Sequence, residues 1–282
     1  MCDIRRFVSE EWVDLTRRPY ISGGIAYLPV LDGYPFTVIL PERERKRRGY
    51  QRMGDIIAFH GHRPDMSLVE EVISAHHPRG IIWYKSHVGC LRIPDIEILW
   101  GEIGEVRLKE SGIIYTFDPE LIMFSQGNRQ EKERVSSLVM PGEYCCDMFA
   151  GIGYFSLPLA RTGAHVHAIE LNPKAVEYLT ENSRLNRLDS RISISAGDCR
   201  NQMKGVYDRI HMGHYEAIFY LSSALMHVHK DTVLHVHSIG DISEEILKIL
   251  ENAVCTAEIS SRVVKTVGPS KRHMVFDLVI KS

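Results

Sequence analysis

From about Leu121 onward, short apolar runs alternate with stretches whose apolar residues recur at helical spacing. The runs at Tyr144–Met148, His165–Ile169, Ile192–Ser195, Tyr207–Met212 and Thr232–His237 predict strands. Helices are expected to start near Tyr154, Pro173, Glu216 and Ser243. Two further strands, Ala257–Val264 and His273–Ile280, flank a turn at Gly268-Pro269-Ser270. Five βα units closed by a hairpin predict an α/β fold, a class I methyltransferase-like Rossmann domain with a seven-stranded, mostly parallel sheet.

The first half has a different texture. Gly23-Gly24, Pro29, Asp32-Gly33 and Pro35 interrupt every apolar run in the first fifty residues, so residues 1–50 read as irregular. Residues 51–120 read as a small α+β domain. It has a strand at Gly54–Phe59 and a helix after Pro64, capped by Asp65 or Ser67, with Leu68, Val69, Val72 and Ile73 on one face. Strands at Gly80–Lys85 and Ile96–Trp100 follow, and then a hairpin around Ser111-Gly112. Residues 121–282 form the Rossmann-like domain.

Composition narrows the class. At 44% hydrophobic and 25% charged residues, the chain can bury a core. No run suits a membrane helix or a secretory signal, and the six cysteines show no metal-ligand spacing, so a reducing, cytoplasmic setting is expected. The net charge of −2 gives no global nucleic-acid signature, but Arg43, Arg45, Lys46, Arg47, Arg48 and Arg52 crowd one stretch. Such a cluster is ordinarily a solvated face; beside a cofactor-binding domain it is equally a candidate RNA contact. The fourteen histidines invite a metal reading, yet no pair shows helical i, i+4 spacing with a glutamate, so no metal is expected.

The chemistry-bearing signal is Asp147-Met148-Phe149-Ala150-Gly151-Ile152-Gly153, a strand ending in an acid and a glycine-rich turn opening a helix. A dinucleotide fingerprint wants a third glycine where Ser156 stands. An S-adenosylmethionine site instead asks for an acid before the glycines and another ending the next strand, and Asp147 and Glu170 occupy those places. Asp198 follows the third strand beside Cys199. Strand-end acids are ordinary singly; three in register after three successive strands favour a cofactor site. The fourth strand runs into Met212-Gly213-His214, without the Asn/Asp-Pro-Pro turn of amino-nitrogen methylation or a Pro-Cys nucleophile. His211 and His214 lie at this edge, and no residue stands out as a general base.

Three segments then point to a family. Met123–Arg134 (MFSQGNRQEKER), Asp147–Gly153 and Ala168-Ile169-Glu170-Leu171-Asn172-Pro173 resemble the wybutosine-synthesizing tRNA aminocarboxypropyltransferases, and Asp208–Gly213 adds the fourth-strand pattern. The sister family, the tRNA (guanine-37-N1) methyltransferases, carries Pro-Arg-Leu after the Phe-Ser pair and Asn-Leu-Pro-Pro after the fourth strand. Here Gln126-Gly127-Asn128 and Met212-Gly213-His214 stand instead.

The resemblance implies transfer of the 3-amino-3-carboxypropyl group of S-adenosylmethionine to C7 of 4-demethylwyosine at position 37 of tRNA(Phe). It implies Ser125, Lys132, Asp147, Gly151, Glu170, Asp198 and Cys199 as cofactor-binding residues. Lys132 is expected at the methionine carboxylate, Glu170 at the ribose and Asp198-Cys199 at the adenine. The partner expected is the tRNA anticodon region, with no membrane and a monomeric protein. The alternatives are the N1-methyltransferase and a non-catalytic tRNA-binding module that retains the cofactor.

Overall fold

The computed structural model describes residues 10–14, 20–22, 25–38, 49–89, 91–124, 128–267 and 271–282. The chain separates into two compact units, residues 1–47 and 48–282. The first contains a short antiparallel pair, β1 (Tyr20–Ser22) and β2 (Ile25–Tyr27), and a bridge between Val13 and Val30. Of the expected basic cluster, Arg43 to Arg48 lie outside the described residues, as does the turn at Gly268-Pro269-Ser270.

The second unit begins with β3 (Tyr50–Met53), β4 (Ile56–His60), α1 (Met66–His76), β5 (Gly80–Val88) and β6 (Ile93–Gly101), which form one four-stranded sheet in chain order. Of the two candidate caps, Asp65 caps α1, its carboxylate accepting from Leu68 N at 2.8 Å. Alternation along β4 splits this sheet's faces. Ile57 and Phe59 pack with Val69 and Val72 of α1, whereas Ile56 and Ala58 face the large core beneath. That core also holds Val106, Tyr115 and Phe117 of the hairpin β7 (Val106–Glu110) and β8 (Ile113–Phe117), and it continues into residues beyond 121.

A helix the sequence pattern did not suggest follows, α2 (Arg129–Ser137). Then come β9 (Tyr144–Asp147), α3 (Ser156–Arg161), β10 (His165–Glu170), α4 (Pro173–Leu185), β11 (Ile192–Ala196), α5 (Cys199–Gln202) and β12 (Tyr207–Met212). The helix expected from Glu216 is instead a broken segment. A 3-10 turn at Ala217–Tyr220, α6 (Leu221–Ala224) and another 3-10 turn lead into β13 (Val228–Ile239). The chain closes with α7 (Ser243–Asn252), β14 (Ala257–Thr266) and β15 (Arg272–Ile280).

The large sheet has the order β11-β10-β9-β12-β13-β15-β14, parallel through β13 and antiparallel in its last two strands. This is the expected class I methyltransferase-like Rossmann sheet. In it, the order reverses between β9 and β12, and ligands of such sheets gather at the carboxyl ends of strands beside that reversal. No described helix is long and apolar enough to cross a membrane.

Two asparagines join the hairpin to the Rossmann layers. Asn182 Oδ1 accepts from Thr116 N at 2.8 Å, and its Nδ2 donates to Thr116 O and Ile152 O, both at 3.2 Å. One turn later Asn186 repeats the pattern on Ile114, accepting at 2.9 Å and donating at 2.7 Å. Helical i, i+4 spacing thus matches strand i, i+2 spacing, and α4 serves β8 as a substitute neighbouring strand. Asn182 is fully buried, so its removal leaves backbone groups without partners. Asn182→Ala is expected to destabilise the fold by about 2–4 kcal/mol, since each orphaned group costs about 1–3 kcal/mol. Urea unfolding at pH 7 measures this; a loss below about 1 kcal/mol contradicts the pairing.

Candidate functional site

The turn after β9 is built around one carboxylate. Glu170, the last residue of β10, accepts from Gly151 N through Oε2 and from Asn172 N through Oε1, each at 2.7 Å. Gly151 has φ +56°, and a Cβ there would lie 2.6 Å from the Tyr154 ring, so glycine is required twice over. Burial raises Glu170 from its ordinary value, and the backbone N–H groups of Asn172, Gly151 and Leu171 oppose that shift. A carboxylate offers about four acceptor sites. Gly151 N and Asn172 N take one site on each oxygen, and the capacity left on the two oxygens suits adjacent hydroxyls such as those of a ribose.

Asp147 faces inward. Fully buried, it accepts from Ser156 Oγ at 2.7 Å and meets His211 Nδ1 at 3.3 Å. It therefore fixes the start of α3 from beneath the turn.

Asp198 caps α5, accepting from Arg200 N at 2.9 Å, and is further paired with the Arg200 guanidinium, which holds its carboxyl below the usual range. For Asp198 to meet an adenine amine, Arg200 must yield an acceptor site. The Arg200 guanidinium lies 5.1 Å from the Tyr220 ring, a place to which it is already drawn. Cys199 is buried, and burial pushes its thiol up to about 11, so it remains a neutral wall residue.

Lys132 is buried and ion-paired with the equally buried Glu110 of β7. Its ammonium lies 5.8, 5.7 and 5.9 Å from the ring centres of Tyr115, Phe124 and Tyr154. Tyr154 also covers Gly151 and donates to Met123 O, so it links this box to the glycine turn. A cavity of about 390 Å³ opens beside Lys132, between α2, α3 and the β7–β8 hairpin. Ser125 and Gly127 lie outside the described residues. The structure thus gathers Asp147, Gly151 and Glu170 around one turn, places Asp198 and Cys199 at the next strand end, and sets Lys132 behind Tyr154.

Three residues, Phe149, Tyr220 and Glu110, were given no role by the sequence reading. Phe149 packs 5.3 Å from His214 and 5.1 Å from Tyr220, an aromatic patch at the ends of β9 and β12. The third, Glu110, is legible only once its partner is known. His214 Nδ1 accepts from Glu216 N at 3.2 Å, which leaves Nε2 as the protonated nitrogen of a neutral ring. Burial, then the charges of Arg92 and His87, hold His214 below its ordinary value.

Among the described residues no group of three or more His, Cys, Asp or Glu is arranged to hold a metal ion. The buried histidines bond to one another instead. His211 Nε2 meets His237 Nε2 at 3.2 Å, and His237 Nδ1 meets His273 Nε2 at 2.9 Å. His273 Nδ1 is buried without a partner among the described residues.

The family is decided by comparison. Residues 106–263 match the description "TRM5/TYW2 methyltransferase domain", more than half of the chain. The chain belongs to the TRM5/TYW2 family. Within that family it is 32% identical over 242 residues to a tRNA(Phe) (4-demethylwyosine(37)-C(7)) aminocarboxypropyltransferase of Methanocaldococcus jannaschii, covering 81% of this chain and 96% of the relative. The crystal structure of P. horikoshii TYW2 in complex with MeSAdo superposes with a TM-score of 0.73 at 27% identity, over 83% of this chain and 91% of that one. A tRNA m1G37 methyltransferase of M. jannaschii reaches a TM-score of 0.74 at 24% identity, over 94% of this chain and 91% of that one, a likeness of fold alone.

The histidine cluster gives this TRM5/TYW2 chain a defined acid response. Burial lowers His235, His237 and His273, the last to about 4, and also His60, His167 and His214. Unfolded, these rings take up protons near pH 6.5; folded, they refuse them until lower pH. Between about pH 6.5 and 5 the unfolded chain therefore binds more protons, and stability falls as pH falls. Exposed His229, raised by the Lys230 carbonyl and by Asp208, acts in the opposite sense for one proton. The expected slope is about 1.4 kcal/mol per pH unit for each net proton. Urea unfolding at pH 7, 6 and 5 checks it, and a flat profile contradicts the buried neutral rings.

Proposed function

We propose that this chain transfers the 3-amino-3-carboxypropyl group of S-adenosylmethionine to C7 of 4-demethylwyosine at position 37 of tRNA(Phe). The observation that carries the reading is the M. jannaschii aminocarboxypropyltransferase, 32% identical across 96% of its length. The TYW2 structure described with MeSAdo adds chemical support, because methylthioadenosine is what remains of the donor after that arm has left.

The residues present fit the donor. The free acceptor sites of Glu170 suit the two ribose hydroxyls, and Gly151 keeps the turn clear of a side chain. Cys199 and Phe149 supply apolar walls beside Asp198, the residue proposed for the adenine. Bound there, S-adenosylmethionine supplies a sulfonium whose arm carbon bonds to C7 as the S–C bond breaks, leaving methylthioadenosine and freeing the C7 proton.

What the protein contributes is alignment. Three carbons surround the sulfur, and correct alignment alone is worth about 7–11 kcal/mol. Glu170 and the glycine turn fix the nucleoside end. Phe149, His214 and Tyr220 form an aromatic face on which a tricyclic base can stack, with the neutral His214 ring offering one N–H. The Met212-Gly213-His214 turn has no proline-flanked amide to hold a guanine nitrogen against a methyl group. Ser125 and Lys132 complete the proposed donor site, with Lys132 reaching a carboxylate when it exchanges Glu110 for it.

Glu170→Ala is expected to weaken S-adenosylmethionine binding at least tenfold by calorimetry, each lost charge-assisted hydrogen bond costing about 1.5–3 kcal/mol. Unchanged affinity removes Glu170 from the site. Isotope tracing tests the transferred group. Label in the donor's carboxylate is expected to enter hypomodified tRNA(Phe), while methyl label stays with methylthioadenosine. Methyl label in the tRNA, with S-adenosylhomocysteine as by-product, overturns the reading in favour of the N1-methyltransferase.

A further inference from the structure

The β5–β6 hairpin of the small sheet reaches the carboxyl edge of the large one. Leu91, in the connection between these strands, accepts at 3.4 Å from Asn172 Nδ2, at the turn whose backbone Glu170 holds. Its neighbour Arg92 has φ +51° and donates its backbone N–H to Gly89 O at 3.1 Å, a turn that fixes the direction of the side chain. Among the described residues the half-buried Arg92 side chain makes one hydrogen bond, Nη2 to Met123 Sδ at 3.9 Å. A thioether is a poor acceptor. Among the described residues Arg92 has no carboxylate within ion-pair distance, unlike Arg63, Arg79, Arg134, Arg200 and Arg209.

Its charge reaches the site. Arg92 acts on His214 and Tyr215 at the end of β12, and on Tyr154 over the glycine turn. The buried cation behind Tyr154, Lys132, is already compensated by Glu110. Arg92 therefore presents a five-donor fork, partly stripped of water, at the reacting edge, with no carboxylate within ion-pair distance among the described residues.

We propose that Arg92 is an oxyanion-binding residue of the catalytic edge, taking the carboxylate or phosphate oxygens of a bound substrate. The proposal rests on the transferase reading above, which supplies two sources: the carboxylate of the donor's arm and a phosphate beside the target nucleotide. In either case Arg92 couples the small sheet to substrate position, and a planar fork suits both oxyanions.

The test uses the full chain with Arg92→Gln and Arg92→Lys, the second keeping the charge but losing the fork, with thermal melting to establish that each is folded. Affinities for S-adenosylmethionine and 5′-methylthioadenosine are measured without RNA, and tRNA affinity is measured across a KCl series. If the carboxylate is the ligand, Arg92→Gln weakens S-adenosylmethionine about tenfold or more while methylthioadenosine, which lacks the arm, stays within twofold. If a phosphate is the ligand, both small molecules are unaffected. Transfer RNA then binds more weakly, and its log–log salt slope falls by about 0.7–0.9. Equal losses for the two small molecules, weaker tRNA binding with an unchanged slope, or no change in any of the three overturns the proposal. All three readouts are binding measurements, so an error in the transferred group appears in the wild-type isotope experiment and leaves these outcomes intact.

Discussion

The Glu170 carboxylate is the constraint on which the site's geometry depends. A chain leaving a parallel strand for a helix must expose backbone N–H groups in a turn, and these need acceptors. Glu170 provides one to Gly151 and one to Asn172, so the turns after β9 and β10 are set by a single side chain. Consequences propagate outward. With Gly151 in the left-handed region, Tyr154 fills the space where a side chain would project, and its hydroxyl holds Met123. Tyr154 then forms one wall of the box around Lys132. Met123 is thereby connected to the glycine turn through one ring.

Helix α2 buries one apolar side chain, Val135, in the core and is otherwise held by charge. Glu131 is buried and accepts a fork from Arg134, which also pairs with Asp277 at 2.6 Å. Asp277, held at about 2 although burial alone would raise it, accepts from His235 Nδ1, and His235 Nε2 meets Arg209. Arg209 in turn donates to Glu143. This chain of pairs crosses β15, β13 and β12 beneath α2. Burying so many charges costs desolvation, and only full mutual satisfaction offsets it. Such a network fixes one position of α2 rather than a family of positions.

That is also why α2 was not legible in the sequence. Arg129-Gln130-Glu131-Lys132-Glu133-Arg134 carries no apolar period to mark a helix, and the residues that justify its burial, Glu110 and Asp277, lie far away along the chain. The strands and the three strand-end acids were legible because period and position are local properties. The stretch after Glu216 carried apolar residues at helical spacing, yet it breaks into single turns that leave Phe219 77% exposed. Local spacing predicts helix wherever tertiary packing does not override it. The pairing of α4 with β8 through Asn182 and Asn186 depends on two periodicities meeting, and neither segment announces it alone.

The two cations near the site differ in the work that an incoming anion must do. Lys132 has Glu110 as an equally buried partner, so an arriving carboxylate must separate an existing pair and leave Glu110 uncompensated, or share the ammonium with it. Three aromatic faces around Nζ lower the cost of loosening that pair, since they hold the cation without a counter-charge. Arg92 has no carboxylate to give up among the described residues, and the residue is already half withdrawn from water. An anion meeting Arg92 gains a charge-assisted fork and displaces only a thioether contact. Affinity is a difference between bound and free states, so the unpaired cation offers the larger gain. The paired one is better suited to holding geometry. On the proposed transferase reading, turning one of three sulfonium substituents toward a base calls for both properties, and the two cations stand on different elements, α2 and the β5–β6 connection.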